Sequence, residues 1–500
     1  MTLLSRVFGF LRDLVIATMF GSSAAADAFL VAFRIPNVQR RLLGEGALTA
    51  AFVPIFSQEL QNDQPERAWE FTSQLFTILF FVLILSSGLT MIFTPQVISV
   101  LAPGFSNDPE KFNLTIELTR WMAPFLIFIG LAALCMGILN ACGLFALPAA
   151  APVMLNISMI ASAILFSPLM TRPIFGLAIG VLIGGAMQLA FQIPTAIRKG
   201  LRFTLSINLR HSLIIRFGKL MLPAIFGLAV YEINILVDTI LASLLPEGSV
   251  SYLYYGNRLV QLPLGVFGVG LGVAILPMLS EQSARNDFFE FRETLSFGVR
   301  LILFISLPAT LGLILLRTSI VNALWERGAF TSTTTEGTVV ALLYYAVGLC
   351  AFAGIKIIAA GYYSLQDTKT PMRIGVWSML LNIVLNLILM GPLKHGGLAL
   401  ATSLSAIFNC LMLIFFLRKR LGRIGGQKIL RSIRKLIYAI LPMAIIVYFL
   451  NDFLYDPNAA LSYRFAVLFI CIFSGVVIFT GFSHWFKNEE WIFLKELRWR

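Results

Sequence analysis

Leu75-Phe-Thr-Ile-Leu-Phe-Phe-Val-Leu-Ile-Leu-Ser-Ser-Gly-Leu-Thr-Met-Ile-Phe93 runs nineteen residues without a charge. At 1.5 Å per residue a helix over this stretch nearly spans a hydrocarbon core of ~30 Å. Phe465–Phe482 is a second such run. The composition extends this reading to the whole chain: of 500 residues 58% are hydrophobic and 13% charged, with a mean hydropathy of +0.85. A water-soluble domain carries about 25% charged residues. Too little polar surface remains here for a water-facing shell, so lipid is the solvent. In hydrocarbon each backbone N–H and C=O needs an internal partner, which a helix provides. Alternation at period two is missing, which excludes a membrane β-barrel.

The apolar runs and their breaks predict an all-α polytopic membrane protein of fourteen helices. Their expected ranges are 3–33, 38–61, 67–94, 112–140, 148–169, 174–197, 212–245, 249–284, 289–317, 333–365, 370–391, 395–420, 428–451 and 461–486. The linker 198–219 holds Arg198, Lys199, Arg202, Arg210, Arg216 and Lys219 and no acid. The linker 418–435 holds eight Lys or Arg and no acid. Both fall on one side, with Arg285, Lys369, Arg373 and the tail from Lys487. The other side has Asp108, Glu110, Glu247, Asp452 and Asp456. Short loops rich in Lys and Arg stay in the cytoplasm, so both termini are expected there. The net charge of +13 is then a topology signal and needs no nucleic acid. Arg34, Arg40 and Arg41 are the exception, expected near the outer end of the first helix pair.

Ala51-Phe-Val-Pro54-Ile-Phe-Ser57-Gln58 resembles Ala274-Ile-Leu-Pro277-Met-Leu-Ser280-Glu281 at an offset of 223, which also carries Pro148 onto Pro371. Six helices per repeat preserve orientation, a plan used by transporters whose two lobes rock about a central substrate. The expected domains are an N-lobe over 1–199, a C-lobe over 200–422, and two further helices with the tail over 423–500.

Charge inside a membrane costs ~2.5–3.5 kcal/mol per residue and marks function. Arg6, Asp13, Asp27 and Arg34 are spaced by sevens or a multiple, so on one helix, bent at Gly21-Ser22-Ser23, they share a face. Arg258 follows Tyr254-Tyr255-Gly256-Asn257 in the eighth helix. Guanidinium groups fork onto phosphate oxygens, so arginines from both lobes point to an anionic ligand such as a diphosphate. Asp13, Asp27 and Glu45 are expected to pair with them in its absence. Asp238, Asn382, Asn386 and Thr402 offer the oxygen ligands of a hard cation, though amides at i, i+4 also simply join helices. Cys135, Cys142, Cys350, Cys410 and Cys471 lack metal-ligand spacing and read as packing residues. His211, His395 and His484 stand far apart with no paired acids beside them, which speaks against a membrane glycosyltransferase. Drug–cation antiport would not call for so many arginines, and a lipid-binding scaffold has no need of a charged cavity.

Ser5-Arg6-Val7-Phe8-Gly9-Phe10-Leu11-Arg12-Asp13, Asp27-Ala28-Phe29, Pro36-Asn37-Val38-Gln39-Arg40-Arg41 and Glu45-Gly46-Ala47 closely resemble the opening of the MurJ (MviN) lipid II flippases. Ala102-Pro103-Gly104-Phe105, Tyr255-Gly256-Asn257-Arg258, Tyr362–Pro371 and Gly391–His395 continue the resemblance in order along the chain. It implies a MOP-superfamily fold of two six-helix lobes plus two helices, which would form a groove for a lipid tail. It implies export of undecaprenyl-diphosphate-linked disaccharide-pentapeptide (lipid II) by alternating access, with no enzymatic chemistry, alongside cell-wall synthesis proteins. The matching positions are Arg6, Arg12, Asp27, Arg40, Arg41 and Arg258: headgroup contact for Arg12 and Arg258, gating ion pairs for Asp27, Arg40 and Arg41. It also implies a sodium ion at Asp238, Asn382, Asn386, the Leu398 carbonyl and Thr402, although Asn386 stands where an acid is expected. Gln261 stands where some relatives have Glu.

Overall fold

In a computed structural model, residues 2–62, 65–201, 206–208 and 210–497 are described, apart from the side chains of 2, 3, 43–45, 47, 50, 226–228, 230 and 231. Every long element is a helix. We number them α1 (Thr2–Phe20), α2 (24–61), α3 (Pro65–Ile92), α4 (109–141), α5 (Ala146–Leu165), α6 (Phe175–Lys199) and α7 (Ser212–Ser243). There follow α8 (249–284), α9 (Phe288–Leu315), α10 (332–364), α11 (Lys369–Leu393), α12 (His395–Leu421), α13 (Gly426–Leu454), α14 (Leu461–Trp485) and a short α15 (Glu489–Leu497). Among the described residues, nine helices are long and apolar enough to cross a membrane alone, and two bent pairs, α4 and α10, do so jointly. α1, α2 and α7 bring the long helical segments among the described residues to fourteen, and the chain is a multi-pass membrane protein.

The first boundary differs from the sequence reading. α1 ends at Phe20 and α2 starts at Ala24, so Gly21-Ser22-Ser23 is a turn between two spans, not a bend within one. Gly21 adopts φ 55°, a left-handed conformation that costs glycine nothing. Ser23 then caps α2, its Oγ accepting from the Ala26 amide at 3.3 Å. Arg6 and Asp13 therefore lie on one helix, Asp27 and Arg34 on the next, and the expected four-charge stripe does not form. Arg6 is exposed and Asp13 buried, so even that pair does not share an environment.

α2 is helical throughout, but Arg40–Glu45 forms a π turn between Ala24–Gln39 and Ala47–Gln61. Arg34, Arg40 and Arg41 consequently sit in the middle of a long span, not at its outer end. Single π turns inside α-helices concentrate at functional sites. A second one, Leu264–Gly268, interrupts α8.

The two π turns end at 45 and 268, an offset of 223. The same offset carries the end of α1 (Phe20) to that of α7 (Ser243), both ends of α3 (Pro65, Ile92) to those of α9 (Phe288, Leu315), and the start of α5 (Ala146) to that of α11 (Lys369). The paired spans α4 and α10 bend by 40° and 41°. Helix lengths and irregularities thus repeat along with the Ala/Pro/Ser pattern, as an internal duplication requires.

Contacts divide the chain into two compact units, Met1–Val250 and Ser251–Arg500. The core of the first stacks Phe52 between Phe56 and Phe71 (centroids 5.1 and 5.7 Å) with Leu79, Leu134 and Ile138 around them. The core of the second is built on Leu279, Phe291, Ile302, Ile357 and Leu413. Phe56 and Leu279, Leu79 and Ile302, and Leu134 and Ile357 are equivalent under the repeat. α7 packs in the first unit through Leu213 and Phe217, and α13 and α14 pack in the second. All five cysteines are free.

At the end of the first unit away from linker 198–219 (the expected outer end), Pro103–Asn107 folds over the end of α7. The Gly104 amide donates to Ser243 Oγ at 3.3 Å, and a Cβ at Gly104 would collide with the Ser243 carbonyl. Backbone against backbone leaves no flexible side chain to yield. Gly104→Ala should therefore destabilise the protein by about 1–3 kcal/mol, read as a lower melting temperature of the purified protein; an unchanged value would mean that the turn relaxes freely.

Candidate functional site

In the first unit Arg12 and Asp13 are adjacent on α1, and they meet each other. Arg12 Nη2 lies 2.6 Å and Nε 3.0 Å from Asp13 Oδ1. Asp13 is fully buried, whereas the Arg12 side chain is 11% exposed. Arg12 Nη1 donates to Asn156 Oδ1 of α5 at 3.0 Å, and Asn156 Nδ2 donates back to the Ser5 carbonyl at 3.3 Å. A carboxylate and an amide thus fix the direction of the guanidinium.

The arginines of α2 bind α7. Arg34 Nη1 donates to the Ile235 carbonyl at 3.2 Å and to Thr239 Oγ1. Arg41 Nη1 meets Glu232 Oε1 at 3.0 Å, with Glu232 buried and Arg41 45% exposed. Arg40 is half-buried on the π turn; the Glu45 side chain lies outside the described residues. Asp27 is not with the other charges of α2. It is buried at the outer end of the helix, where its Oδ2 accepts from Lys111 Nζ at 2.8 Å and from the Gly248 amide at 2.9 Å.

In the second unit Arg258 stands half-buried on α8. Its Nη1 approaches Gln261 Oε1 at 3.5 Å, Gln261 donates to Asn257 Oδ1 at 3.2 Å, and the Tyr254 ring centroid lies 5.9 Å from the guanidinium. Helical periodicity splits the motif. Tyr255 points inward between Trp325 and Phe330 (5.5 and 5.3 Å), and Gly256 packs against Ala341 and Leu342. Tyr255 and Gly256 are thus packing residues, and the polar face belongs to Tyr254, Asn257, Arg258 and Gln261.

The residues expected to hold sodium are distributed between the units. Asp238 is half-buried on α7. In the second unit Asn386 donates to Asn382 Oδ1 at 2.9 Å, Asn382 reaches Thr402 Oγ1 at 3.5 Å, and Thr402 donates to the Leu398 carbonyl at 2.9 Å. These four residues offer only neutral oxygens, and the amide oxygen of Asn382 and the carbonyl of Leu398 already accept hydrogen bonds. These contacts tie α11 to α12, and no step is assigned to sodium.

Four functional candidates were not singled out from the sequence. Asn156, Lys111 and Glu232 are long-range partners, and spacing along one chain carries no signal for them. Lys356 is different: it is exposed in an otherwise apolar stretch of α10, where Gly272 of α8 approaches its Cβ. A lone lysine inside a span was a legible signal.

The family described as lipid II flippase MurJ matches residues 16–471. The chain belongs to this family. A probable lipid II flippase MurJ from Haemophilus influenzae is 38% identical over 426 residues, 83% of each chain. A lipid II flippase MurJ from Burkholderia cenocepacia is 36% identical over 84% of this chain and 82% of its own. Among solved structures, a lipid II flippase MurJ in an inward closed conformation superposes with TM-score 0.84 at 29% identity, covering 98% of both chains. An inward-facing multidrug-resistance MATE transporter of the MOP superfamily shares the fold alone, with TM-score 0.71 at 13% identity over 84% of this chain and 96% of that one.

Proposed function

We propose that this protein flips lipid II from the cytoplasmic to the periplasmic leaflet of the bacterial inner membrane, with both termini in the cytoplasm. The observation that carries the reading is membership of the MurJ family over nearly the whole chain. The arginines give it a physical basis. A diphosphate needs charge-assisted donors whose counter-charges are supplied by the protein when the ligand is absent. Arg12, held by Asp13 and Asn156, and Arg258, beside Gln261 and Tyr254, meet that description; Arg6 and Lys356 add exposed cations. Asp27, Arg34, Arg40, Arg41 and Glu45 act as gating residues, the first through the outer end of α7 and Arg34 and Arg41 through its length. Alternating access moves the headgroup while the tail stays in lipid, and the chain's partners are lipid II and the cell-wall synthesis proteins that supply and consume it.

The test uses cells that rely on this protein alone. A periplasm-confined enzyme cleaves any lipid II that reaches the outer leaflet. Cleavage should cease on depletion while lipid II accumulates; continued cleavage would leave a scaffold, or an exporter of another polyprenyl-linked glycan, as the better reading.

A further inference from the structure

We propose that Lys111 is a positioning residue for Asp27, and that the two form a latch holding the connector after α7 closed on the outer face. The contacts converge from three segments of the first unit. Asp27 lies in the first turn of α2, where the helix dipole favours a carboxylate, and it is 1% exposed. Lys111 is 7% exposed; its ammonium stands 2.8 Å from Asp27 and 4.2 Å from the Phe105 ring centroid. The start of α4 is itself fixed, because Asp108 accepts from the Lys111 amide at 3.1 Å. Asp27 Oδ2 turns from Lys111 to the Gly248 amide at 2.9 Å, and Gly248 has φ 85°, which favours glycine. The turn that supplies Phe105 also holds the end of α7, through Gly104 and Ser243. One buried cation therefore braces both contacts on residues 243–248, which lead from α7, the first helix of the second repeat, to α8.

A buried ion pair is weak evidence for stability, and a neutral replacement of similar shape is commonly tolerated. That property separates a latch from plain packing. In Asp27→Asn with Lys111→Met the Gly248 amide keeps an acceptor of the same shape, but the charge-assisted bond becomes a neutral one, about half as strong. The probe is Ser249→Cys, at a position 2% exposed beside the connector, treated in intact cells with a membrane-impermeant maleimide and read site by site by mass spectrometry. At equal abundance the neutral pair should raise labelling about tenfold, equivalent to about 1.4 kcal/mol. Lys111→Arg, which keeps the charge, should stay within about threefold of the parent. Unchanged labelling in the folded neutral variant would overturn the latch. The role in transport rests on the lipid II reading and has its own readout: lipid II exposure should fall with the latch, and wild-type exposure beside increased labelling would overturn that role. Failure of the flippase reading itself would appear differently, as cleavage that persists after depletion of the unmodified protein.

Discussion

An Arg258→Ala variant should reach the membrane at wild-type abundance and lose lipid II exposure by about a hundredfold or more. Abundance is measured in the same cells, so that the loss is read per molecule of protein in the membrane. The functional loss is large because a guanidinium on a phosphate makes two charge-assisted bonds of about 1.5–3 kcal/mol each. Arg258→Lys keeps the charge but not the fork, and should recover only part of the activity. Full activity with lysine would reduce the requirement to charge; full activity with alanine would remove Arg258 from the substrate path. Arg12 needs a different variant. Arg12→Ala leaves Asp13 fully buried without its cation, so lost abundance and lost chemistry would be confounded. Arg12→Ala combined with Asp13→Asn removes the charge without stranding one, and exposure of lipid II at equal abundance is then the measurement.

Hydrophobicity and charge made the number of spans legible, because membrane insertion reads these properties locally along the chain. The boundary at Gly21 was misread for a local reason. Small residues flanked by helical sequence fit a bend and a turn equally well, and the left-handed conformation of Gly21 with the cap on Ser23 decides between them. That one shift moved Arg34, Arg40 and Arg41 from the rim to the interior of a span. The offset of 223 was visible in three residue types, and the structure extends it to a π turn and a 40° bend that no propensity encodes. Asp13 was legible as an acid that pairs with an arginine inside a span, but its partner Arg12 was not. Asn156, Lys111 and Glu232 were not, since contacts across 84–191 residues depend on how the helices pack. Charge in a span announces a site; its partners have to be seen.

Arg300→Met should cost about 3–5 kcal/mol, a large share of the 5–15 kcal/mol by which a typical domain is stable. Arg300 lies on α9 with its side chain 8% exposed and holds two neighbouring acids of α15, Glu489 at 2.5 Å and Glu490 at 3.1 Å. Glu490 is 2% exposed, and besides Arg300 it accepts from Ser432 Oγ of α13 at 3.0 Å. Without the guanidinium its charge stays buried against one hydroxyl. Phe297 packing edge-on to Phe493 at 4.8 Å adds apolar contact on the same side but does nothing for that charge. The measurement is the melting temperature of purified protein, with a drop of several degrees expected, and Glu490→Leu in the same chain should restore much of it. Absence of rescue would mean that Arg300 acts through packing of its stem. Acid should act on the same joint with a defined sign. The Arg300 hydrogen bond is the main reason the Glu489 carboxyl lies below its ordinary range. A carboxylate depressed in the folded state contributes stability above its unfolded value of about 4.3, and that contribution fades as pH falls through the folded value. Glu489 is 67% exposed, so solvent screening keeps its share small. The tail should therefore stay docked at neutral pH, and in Arg300→Met the melting temperature should lose the part of its acid sensitivity that Glu489 contributes.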